Sequence, residues 1–219
     1  PPPSGVKVER DISYVPGGNP SQTLDLYYPE KASDKPWPII VWIHGGAWHH
    51  GSNRSVYGVD LVPEGYALAS IEYRFVGEAL FPAQIQDCQA AIRWLRAHSR
   101  QYNLDPDHIG AWGGSAGGHL AALLGTTGGN KVYPPVGENQ DQSDKVQAVC
   151  DWYGPTDLNL QYWPGLFGSS PKTKENCDFA SPIHYVDKDS PPFLIMHGTI
   201  DHVVGIKQSE VLVEALQKA

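Results

Sequence analysis

Residues 109–119 read IGAWGGSAGGH, a short apolar run that leads directly into Gly-x-Ser-x-Gly. The apolar part predicts a buried strand, and a helical segment follows it. A serine on such a sharp turn from strand to helix has strained backbone angles that expose its Oγ. Small neighbours let the strand and the helix approach closely, which explains the glycines at Gly113, Gly117 and Gly118. The run therefore predicts that Ser115 is a nucleophile.

A second informative stretch lies upstream, where residues 38–48 read PIIVWIHGGAW. A continuous apolar run of this kind is typical of a central strand in a sheet that is covered on both faces. The small residues after the strand let backbone N–H groups turn toward a ligand, as stabilisation of a tetrahedral oxyanion requires. Together, the two stretches predict the two halves of one acyl-transfer site.

Composition and charge limit the classes of partner. The 219 residues carry 16 basic and 24 acidic side chains, a net charge of −8, without a basic cluster that could neutralise phosphates. We therefore expect no nucleic-acid partner and no anionic membrane partner. A chain of this length buries one substantial core, which predicts a single domain over residues 1–219.

Targeting features leave the cellular compartment open. No apolar stretch approaches the ~20 residues of a membrane span and no signal-peptide pattern opens the chain, so the sequence predicts a soluble protein. The single methionine is Met196, which indicates that the start at Pro1 is not a natural initiation site. Secretion with removal of a leader is therefore an open alternative. We expect Cys150 and Cys177 to be free thiols, with a disulfide between them as the alternative in a secreted protein.

Strand and helix patterns alternate along the chain. Alternating or continuous apolar positions predict an opening antiparallel pair and five later strands, at 6–14, 22–28, 39–43, 66–73, 108–112, 147–152 and 192–197. Helical spacing is found at 82–98 and 206–218. This order predicts an α/β fold with a mostly parallel central sheet and helices on both faces. Residues 126–145 and 158–179 interrupt the alternation, as surface loops or as walls of a substrate site.

The same motifs carry a resemblance to a known family. The chain resembles α/β-hydrolase fold esterases that contain His-Gly-Gly-Ala-Trp, similar to hormone-sensitive-lipase-like and feruloyl or acetyl xylan esterase-like enzymes. The resemblance covers nearly the whole chain. The matching segments follow the family's order and lie at 24–29, 44–48, 73–74, 81–84, 109–119, 152–157, 181–182 and 196–201.

This resemblance assigns roles to individual residues. It implies that Ser115 is the nucleophile and that the backbone N–H groups of Gly46, Ala47 and Ala116 form an oxyanion hole. Asp201 follows a buried strand and a tight turn, which is the location of the family's triad acid. No organic cofactor is implied, and the sequence shows no ligand cluster at metal spacing.

The catalytic histidine is missing from its expected place. In this family it follows the acid, yet the last histidine is His202, and 219 minus 201 leaves 18 residues, which fit the helix at 206–218. We therefore expect the α/β-hydrolase fold to be incomplete at its C-terminus, without the last strand and the catalytic histidine. His49, His50 and His184 are weaker candidates for a substitute base.

An incomplete sheet would have a further consequence. Without a last strand, the strand ending at Met196 would present an unpaired apolar edge, and such edges pair with other chains. We expect either that the polypeptide continues past Ala219 or that the chain associates with another copy through this edge.

Several other polar residues are interpreted as structural. His44 is interpreted as hydrogen-bonded support for the glycine loop, and Glu72 as a member of a structural ion pair. Asp157 and Asp151 compete with Asp201 for the role of the acid, and we interpret Asp157 as a residue that stabilises a turn.

These expectations define one function and two alternatives. We expect a serine carboxylic ester hydrolase that forms an acyl-enzyme and acts on short-chain or aromatic acyl esters, small or carbohydrate-linked. Trp48, Tyr162 and Trp163 are candidates to stack on a sugar or an aromatic acyl group. The alternatives are an arylformamidase, whose group carries a similar loop, and a catalytically inactive hydrolase-fold binding protein, suggested by the missing histidine.

Overall fold

The structure, a computed structural model, describes residues 2–219 and contains one sheet of seven strands within them. The strands are β1 (Val6–Ser13), β2 (Thr23–Pro29), β3 (Trp37–Ile43), β4 (Ala67–Ile71), β5 (Leu104–Gly114), β6 (Ala148–Trp152) and β7 (Phe193–Met196). The α-helices are α1 (Ala83–Ala97), α2 (Ser99–Tyr102), α3 (Ala116–Thr127), α4 (Lys174–Phe179) and α5 (Lys207–Lys218). Each predicted strand and helix therefore has a counterpart.

The sheet has the strand order β1-β2-β4-β3-β5-β6-β7. Strands β1 and β2 pair antiparallel, and β2 also runs antiparallel to β4. All pairs from β4 through β7 are parallel. The prediction of an opening antiparallel pair and a mostly parallel sheet is confirmed. Because parallel strands end at the same edge of the sheet, the loops after β3, β5 and β7 lie near one another, where ligands bind in such folds.

Alternate residues of the central strands face two different clusters. Val41 of β3 and Ala111 of β5 belong to the main core, together with buried residues of α1 and α3. Trp42, the next residue of β3, faces the opposite side and packs with Leu68 of β4. The 3-10 helix Val59–Leu61 covers part of this second cluster. The period-two alternation of a strand thus separates the two sides of the sheet.

The two interrupting segments contribute more to the core than the sequence suggests. Tyr133, in the first segment, is 2% exposed and packs edge-to-face against Phe81. The second segment contains the 3-10 helix Pro164–Phe167 and α4, which the sequence analysis did not predict. Phe167 is 7% exposed, so its apolar surface is covered by the protein itself. Both segments are therefore packed parts of the domain as well as connections.

Strand β7 lies at the edge of the sheet, with β6 as its neighbour among residues 2–219. Leu194 and Met196 are 59% and 49% exposed on its outer surface. Both side chains lie on the same apolar face of the sheet as Trp112 and Cys150.

All three cysteines are free, as expected for Cys150 and Cys177, and the alternative of a Cys150–Cys177 disulfide is not present. Cys177 is buried in the main core, whereas Cys150 lines an apolar surface with Trp112 and Leu194 on the other side of the sheet. The sheet separates the two thiols, which explains why they do not pair.

Candidate functional site

Ser115 lies at the sharp turn between β5 and α3, as the motif predicts. Its backbone angles are φ 55° and ψ −122°, a conformation that L-residues rarely adopt. The turn is fixed on both sides, because the Ser115 N–H donates to the Trp152 carbonyl at 2.8 Å and the Ser115 carbonyl accepts from the His119 N–H at 3.0 Å. The side chain is partly accessible at the carboxyl edge of the sheet.

The glycines of the elbow permit an unusually close approach of α3 to the sheet. A Cβ added to Gly117 would lie 2.0 Å from the Ile43 carbonyl oxygen, and one added to Gly113 would lie 2.2 Å from the Gly117 carbonyl oxygen. No side chain fits at such distances, so these positions require glycine. The close approach brings the N-terminus of α3 to the end of β3.

The glycine loop after β3 lies directly against the nucleophile. A Cβ added to Gly45 would be 3.3 Å from Ser115 Cβ, and Gly46 and Ala47 both have positive φ, 124° and 51°. The Gly46 carbonyl accepts from the His49 and His50 N–H groups, which closes the loop. Within residues 2–219, the N–H groups of Gly46 and Ala47 donate to no protein acceptor. Free N–H groups beside a serine Oγ are what an oxyanion requires.

A buried hydrogen-bonded pair supports this loop from below. The His44 and Glu72 side chains interact through Nε2 and Oε1 at 2.6 Å, and His44 Nδ1 lies 2.7 Å from the Gly45 carbonyl oxygen. The Tyr73 hydroxyl donates to the His44 carbonyl at 3.0 Å. These contacts agree with the structural interpretation of His44 and Glu72. Arg74, adjacent in sequence, pairs instead with the buried Asp87.

The proposed acid, Asp201, follows β7 in a tight loop. Its Oδ1 accepts from the backbone N–H groups of Val203 and Val204 at 2.8 and 2.9 Å. The Val204 N–H is the largest influence that holds the Asp201 pKa below its usual range, against a smaller rise from burial. An ionised carboxylate is what a triad acid requires in order to stabilise an imidazolium.

His197 anchors the same loop from inside the protein. Its Nε2 lies 2.7 Å from the Val204 carbonyl oxygen and 3.6 Å from Asp201 Oδ2, and its Nδ1 lies 2.7 Å from Ser209 Oγ. With only 3% of its side chain exposed, His197 fixes the loop geometry. No role was expected for this residue, although a histidine four positions before the proposed acid was a signal for one.

The remaining candidate bases lie in different surroundings. His184 pairs with Asp178 at 3.0 Å, while His49, His50 and His202 are exposed. Between residues 2 and 219, no histidine ring is hydrogen-bonded to Ser115 Oγ.

His119, four residues after the nucleophile, is part of the core. Its Nε2 lies 2.7 Å from the Ala180 carbonyl oxygen and its Nδ1 accepts from Trp48 Nε1 at 3.3 Å. Burial lowers the pKa of His119 to about 4, with a smaller opposing effect of the bond to Ala180. The neutral ring therefore links α3 to the glycine loop through Trp48, a structural role that agrees with the expectation of packing.

The three candidate aromatic contacts differ in accessibility. Trp48 is 2% exposed and packs edge-to-face against His119 and Trp163, so its ring lies behind the surface. The expectation that Trp48 stacks on a substrate is therefore corrected: its faces already contact protein. Tyr162 and Trp163 are half-buried, and Tyr162 stacks on Phe167 at 6.0 Å.

Asp151 of β6 is a completely buried carboxyl group under the elbow. Its Oδ1 accepts from the Gly154 N–H at 2.9 Å, while its Oδ2 is without a hydrogen-bond partner among residues 2–219. A Cβ added to Gly118 of α3 would lie 2.4 Å from Oδ1, so the carboxyl touches the helix that begins after Ser115. Burial raises the Asp151 pKa to about 7, against a smaller lowering by the Gly154 N–H.

This raised pKa predicts a pH-dependent loss of stability. The folded state favours the neutral carboxyl group of Asp151. The contribution of this group to the free energy of unfolding is therefore complete below its ordinary pKa of 3.8, decreases as the pH rises, and is lost once the pH has passed about 7. We expect Asp151→Asn to remove this loss, which amounts to at most about 4 kcal/mol in the free energy of unfolding. Urea unfolding at pH 5 and pH 8.5 measures the part that is lost between these two values, about 3 kcal/mol.

The exposed Asp34→Asn variant is the matched control for this measurement. It should retain the pH dependence of the unmodified protein. A pH dependence that Asp151→Asn leaves unchanged would show that Asp151 is ionised without cost at neutral pH.

Tyr153, which the sequence analysis did not single out, lies between the elbow and the acid loop. A Cβ added to Gly114 would be 3.1 Å from its hydroxyl, and its ring packs edge-to-face against His197 with centroids 6.3 Å apart. Its φ is 45°. In the sequence this tyrosine belongs to the family-matching segment 152–157, but no role was assigned to it there.

Residues 2–219 contain no group of three or more His, Cys, Asp or Glu side chains that could hold a metal ion. None of the described helices is both long and apolar enough to cross a bilayer.

Comparison with known proteins places this geometry in a family. The BD-FAE family model matches residues 24–216. Esterase LipC of Mycobacterium tuberculosis is 34% identical over 92% of this chain, which spans 53% of LipC, about half its length.

Solved structures agree with the sequence comparisons. A truncated form of a carbohydrate esterase from gut microbiota is 33% identical, with a TM-score of 0.89 over 97% of this chain and 84% of its own. A bifunctional GH43-CE protein of Bacteroides eggerthii is 36% identical, also with a TM-score of 0.89, over 96% of this chain and 30% of its own. The expected α/β-hydrolase fold is confirmed, and the chain belongs to the BD-FAE family.

Proposed function

We propose that this chain forms the ester-hydrolysing domain of a serine carboxylesterase. Ser115 Oγ attacks the ester carbonyl, the alcohol leaves, and water then releases the acid from the acyl-enzyme. The N–H groups of Gly46, Ala47 and Ala116 stabilise the oxyanion. The observation that carries this proposal is the strained conformation of Ser115, held at the end of a central strand against a loop with free N–H groups.

The general base in this proposal is a histidine that Asp201 orients. The ionised, backbone-bonded carboxylate of Asp201 has the charge that this role needs. We propose that the histidine comes from outside residues 2–219. Replacing His49, His50, His184 and His202 one at a time by alanine should accordingly leave more than about a third of the activity, because none of them acts as the base. A loss comparable to that of a missing triad member at any one of them would identify it as the base instead.

The proposed substrates are short-chain or aromatic acyl esters, including acyl groups on carbohydrates. The solved relatives described as carbohydrate esterase and GH43-CE support the carbohydrate-linked class. The half-buried Tyr162 and Trp163 supply aromatic surface near the glycine loop, since Trp163 contacts Trp48.

The test combines turnover with covalent labelling of the protein at its full natural length. We expect hydrolysis of p-nitrophenyl acetate and of acetylated xylan. Diethyl p-nitrophenyl phosphate should abolish turnover and add one diethylphosphoryl group, which peptide mass mapping should locate on Ser115. A label at another serine would overturn the assignment of the nucleophile.

Two other outcomes would favour the alternatives. Faster hydrolysis of N-formylkynurenine than of any ester, with the label still on Ser115, would identify an arylformamidase. Binding of acetylated xylan without turnover and without labelling would identify a catalytically inactive binding protein.

A further inference from the structure

The segment Trp152–Tyr153 ties the nucleophile to the strand that carries the acid. The Trp152 carbonyl accepts from the Ser115 N–H at 2.8 Å, and the Tyr153 N–H donates to the Met196 carbonyl at 2.9 Å. A single peptide group, between Trp152 and Tyr153, therefore connects the elbow after β5 to the end of β7. Any displacement of this segment would change the distance between Ser115 and Asp201.

The backbone of Tyr153 is itself strained. Its φ of 45° lies in the left-handed region, which is unfavourable for a bulky L-residue. Such conformations persist where the surroundings over-determine them, and they concentrate at functional sites. Here the bonds of the Trp152–Tyr153 peptide group precede the strained residue, and the Gly154 N–H, which donates to Asp151 Oδ1 at 2.9 Å, follows it, so the backbone is held on both sides.

The side chain of Tyr153 lies between the elbow at Ser115 and the loop that carries Asp201. Its hydroxyl approaches Gly114, where an added Cβ would lie 3.1 Å away, and its ring packs edge-to-face against His197, the anchor of the acid loop. The side chain remains 38% exposed, so it lies at the surface of the site. Burial is the main cause that raises the phenol pKa, followed by the charges of Tyr57 and Asp201.

We propose that Tyr153 is a positioning residue for ester hydrolysis. Its ring holds the acid loop, residues 198–204, at a fixed distance from the elbow, so that a histidine can bridge Asp201 and Ser115. This role rests on the proposed function. The chemistry depends on it because small displacements of catalytic groups reduce rates strongly.

The first test compares Tyr153→Ala with Tyr153→Phe, which keeps the ring. We expect Tyr153→Ala to lower kcat by about 10- to 100-fold with little change in KM, and Tyr153→Phe to retain most of the activity. In Tyr153→Ala the acidic limb of the kcat/KM profile should also move to lower pH, because a loosened Asp201 stabilises the imidazolium less. A merely structural role would not move this limb.

The second test measures the contact between the phenol and the elbow. The three nearest atoms to a Cβ at Gly114 all belong to Tyr153, so Gly114→Ala should disturb that side chain first. We expect Gly114→Ala to lower both kcat and the urea midpoint, and to cost less of each when Tyr153→Phe has removed the hydroxyl. Additive effects in this double-mutant cycle would show that the Tyr153 hydroxyl does not contact Gly114, and would overturn the proposed role. This result can be obtained even if Tyr153→Ala does not fold.

The outcomes separate this proposal from the one on which it rests. Serine-dependent turnover that Tyr153→Ala leaves unchanged in rate and pH profile would overturn the role of Tyr153 alone. Absence of turnover in the unmodified full-length protein would overturn the esterase function, and the role of Tyr153 with it.

Discussion

Replacement of Ser115 by alanine is expected to reduce ester hydrolysis by about 1000-fold or more. In the proposed mechanism no acyl-enzyme forms without Oγ, and only the proposed oxyanion hole and substrate binding would still assist the reaction. The free N–H groups of Gly46 and Ala47 remain in place in this variant, so KM should change much less than kcat. Initial rates with p-nitrophenyl acetate and with an acetylated xylan measure both constants.

Ser13→Ala is the matched control, because Ser13 is an exposed serine at the end of β1. It should hydrolyse both esters at the rate of the unmodified protein. Equal loss in the two variants would point to preparation damage, and retention of activity in Ser115→Ala would show that another group is the nucleophile. A decrease in kcat at least tenfold larger than the change in KM would show that Ser115→Ala impairs the chemical step and not substrate binding.

Replacement of Gly117 by alanine is expected to destabilise the fold by about 3 kcal/mol or more. The new methyl group would lie 2.0 Å from the Ile43 carbonyl oxygen and 2.7 Å from the His44 carbonyl oxygen. Both are backbone atoms at the end of a central strand, and they cannot move aside as a side chain could. The helix α3 would have to move away from β3, which would also displace Ser115.

Gly110→Ala provides the comparison for this variant, since Gly110 lies on the same strand-to-helix unit. Its added methyl group would meet its nearest neighbour, the Ala148 carbonyl oxygen, at an ordinary 3.8 Å. We expect a change of less than about 1 kcal/mol there. Urea unfolding of both variants gives the two free energies, and equal stability would show that helix and strand are farther apart than described.

The elbow was predictable because its requirements are local. A serine between glycines after an apolar run implies a tight turn, and the close approach that the structure shows at Gly117 follows from the same requirement. The alternation of strands and helices was predictable for a similar reason, since strand and helix periodicity are read from neighbouring residues.

What the sequence did not predict depends on contacts between distant segments. Trp48 was expected to meet a substrate, but its ring is covered by His119 and Trp163, residues far away in the sequence. The partner of Glu72 is His44 rather than its sequence neighbour Arg74. The role of Tyr153 was not predicted, because tertiary hydrogen bonds impose its positive φ and the residue type alone does not indicate it.

The position of each strand in the sheet also determines which part of the candidate site opens first by local unfolding. Ser115 follows β5, which has neighbours on both sides, whereas Asp201 follows β7, which lies at the edge of the described sheet. Amide hydrogens of edge strands exchange through local opening, at a lower free energy than those of central strands. For the polypeptide of residues 1–219 we therefore expect deuterium to enter the loop of Asp201 well before the elbow of Ser115. In that polypeptide, mild heating would release the proposed acid, Asp201, while the proposed nucleophile, Ser115, is still held in its turn.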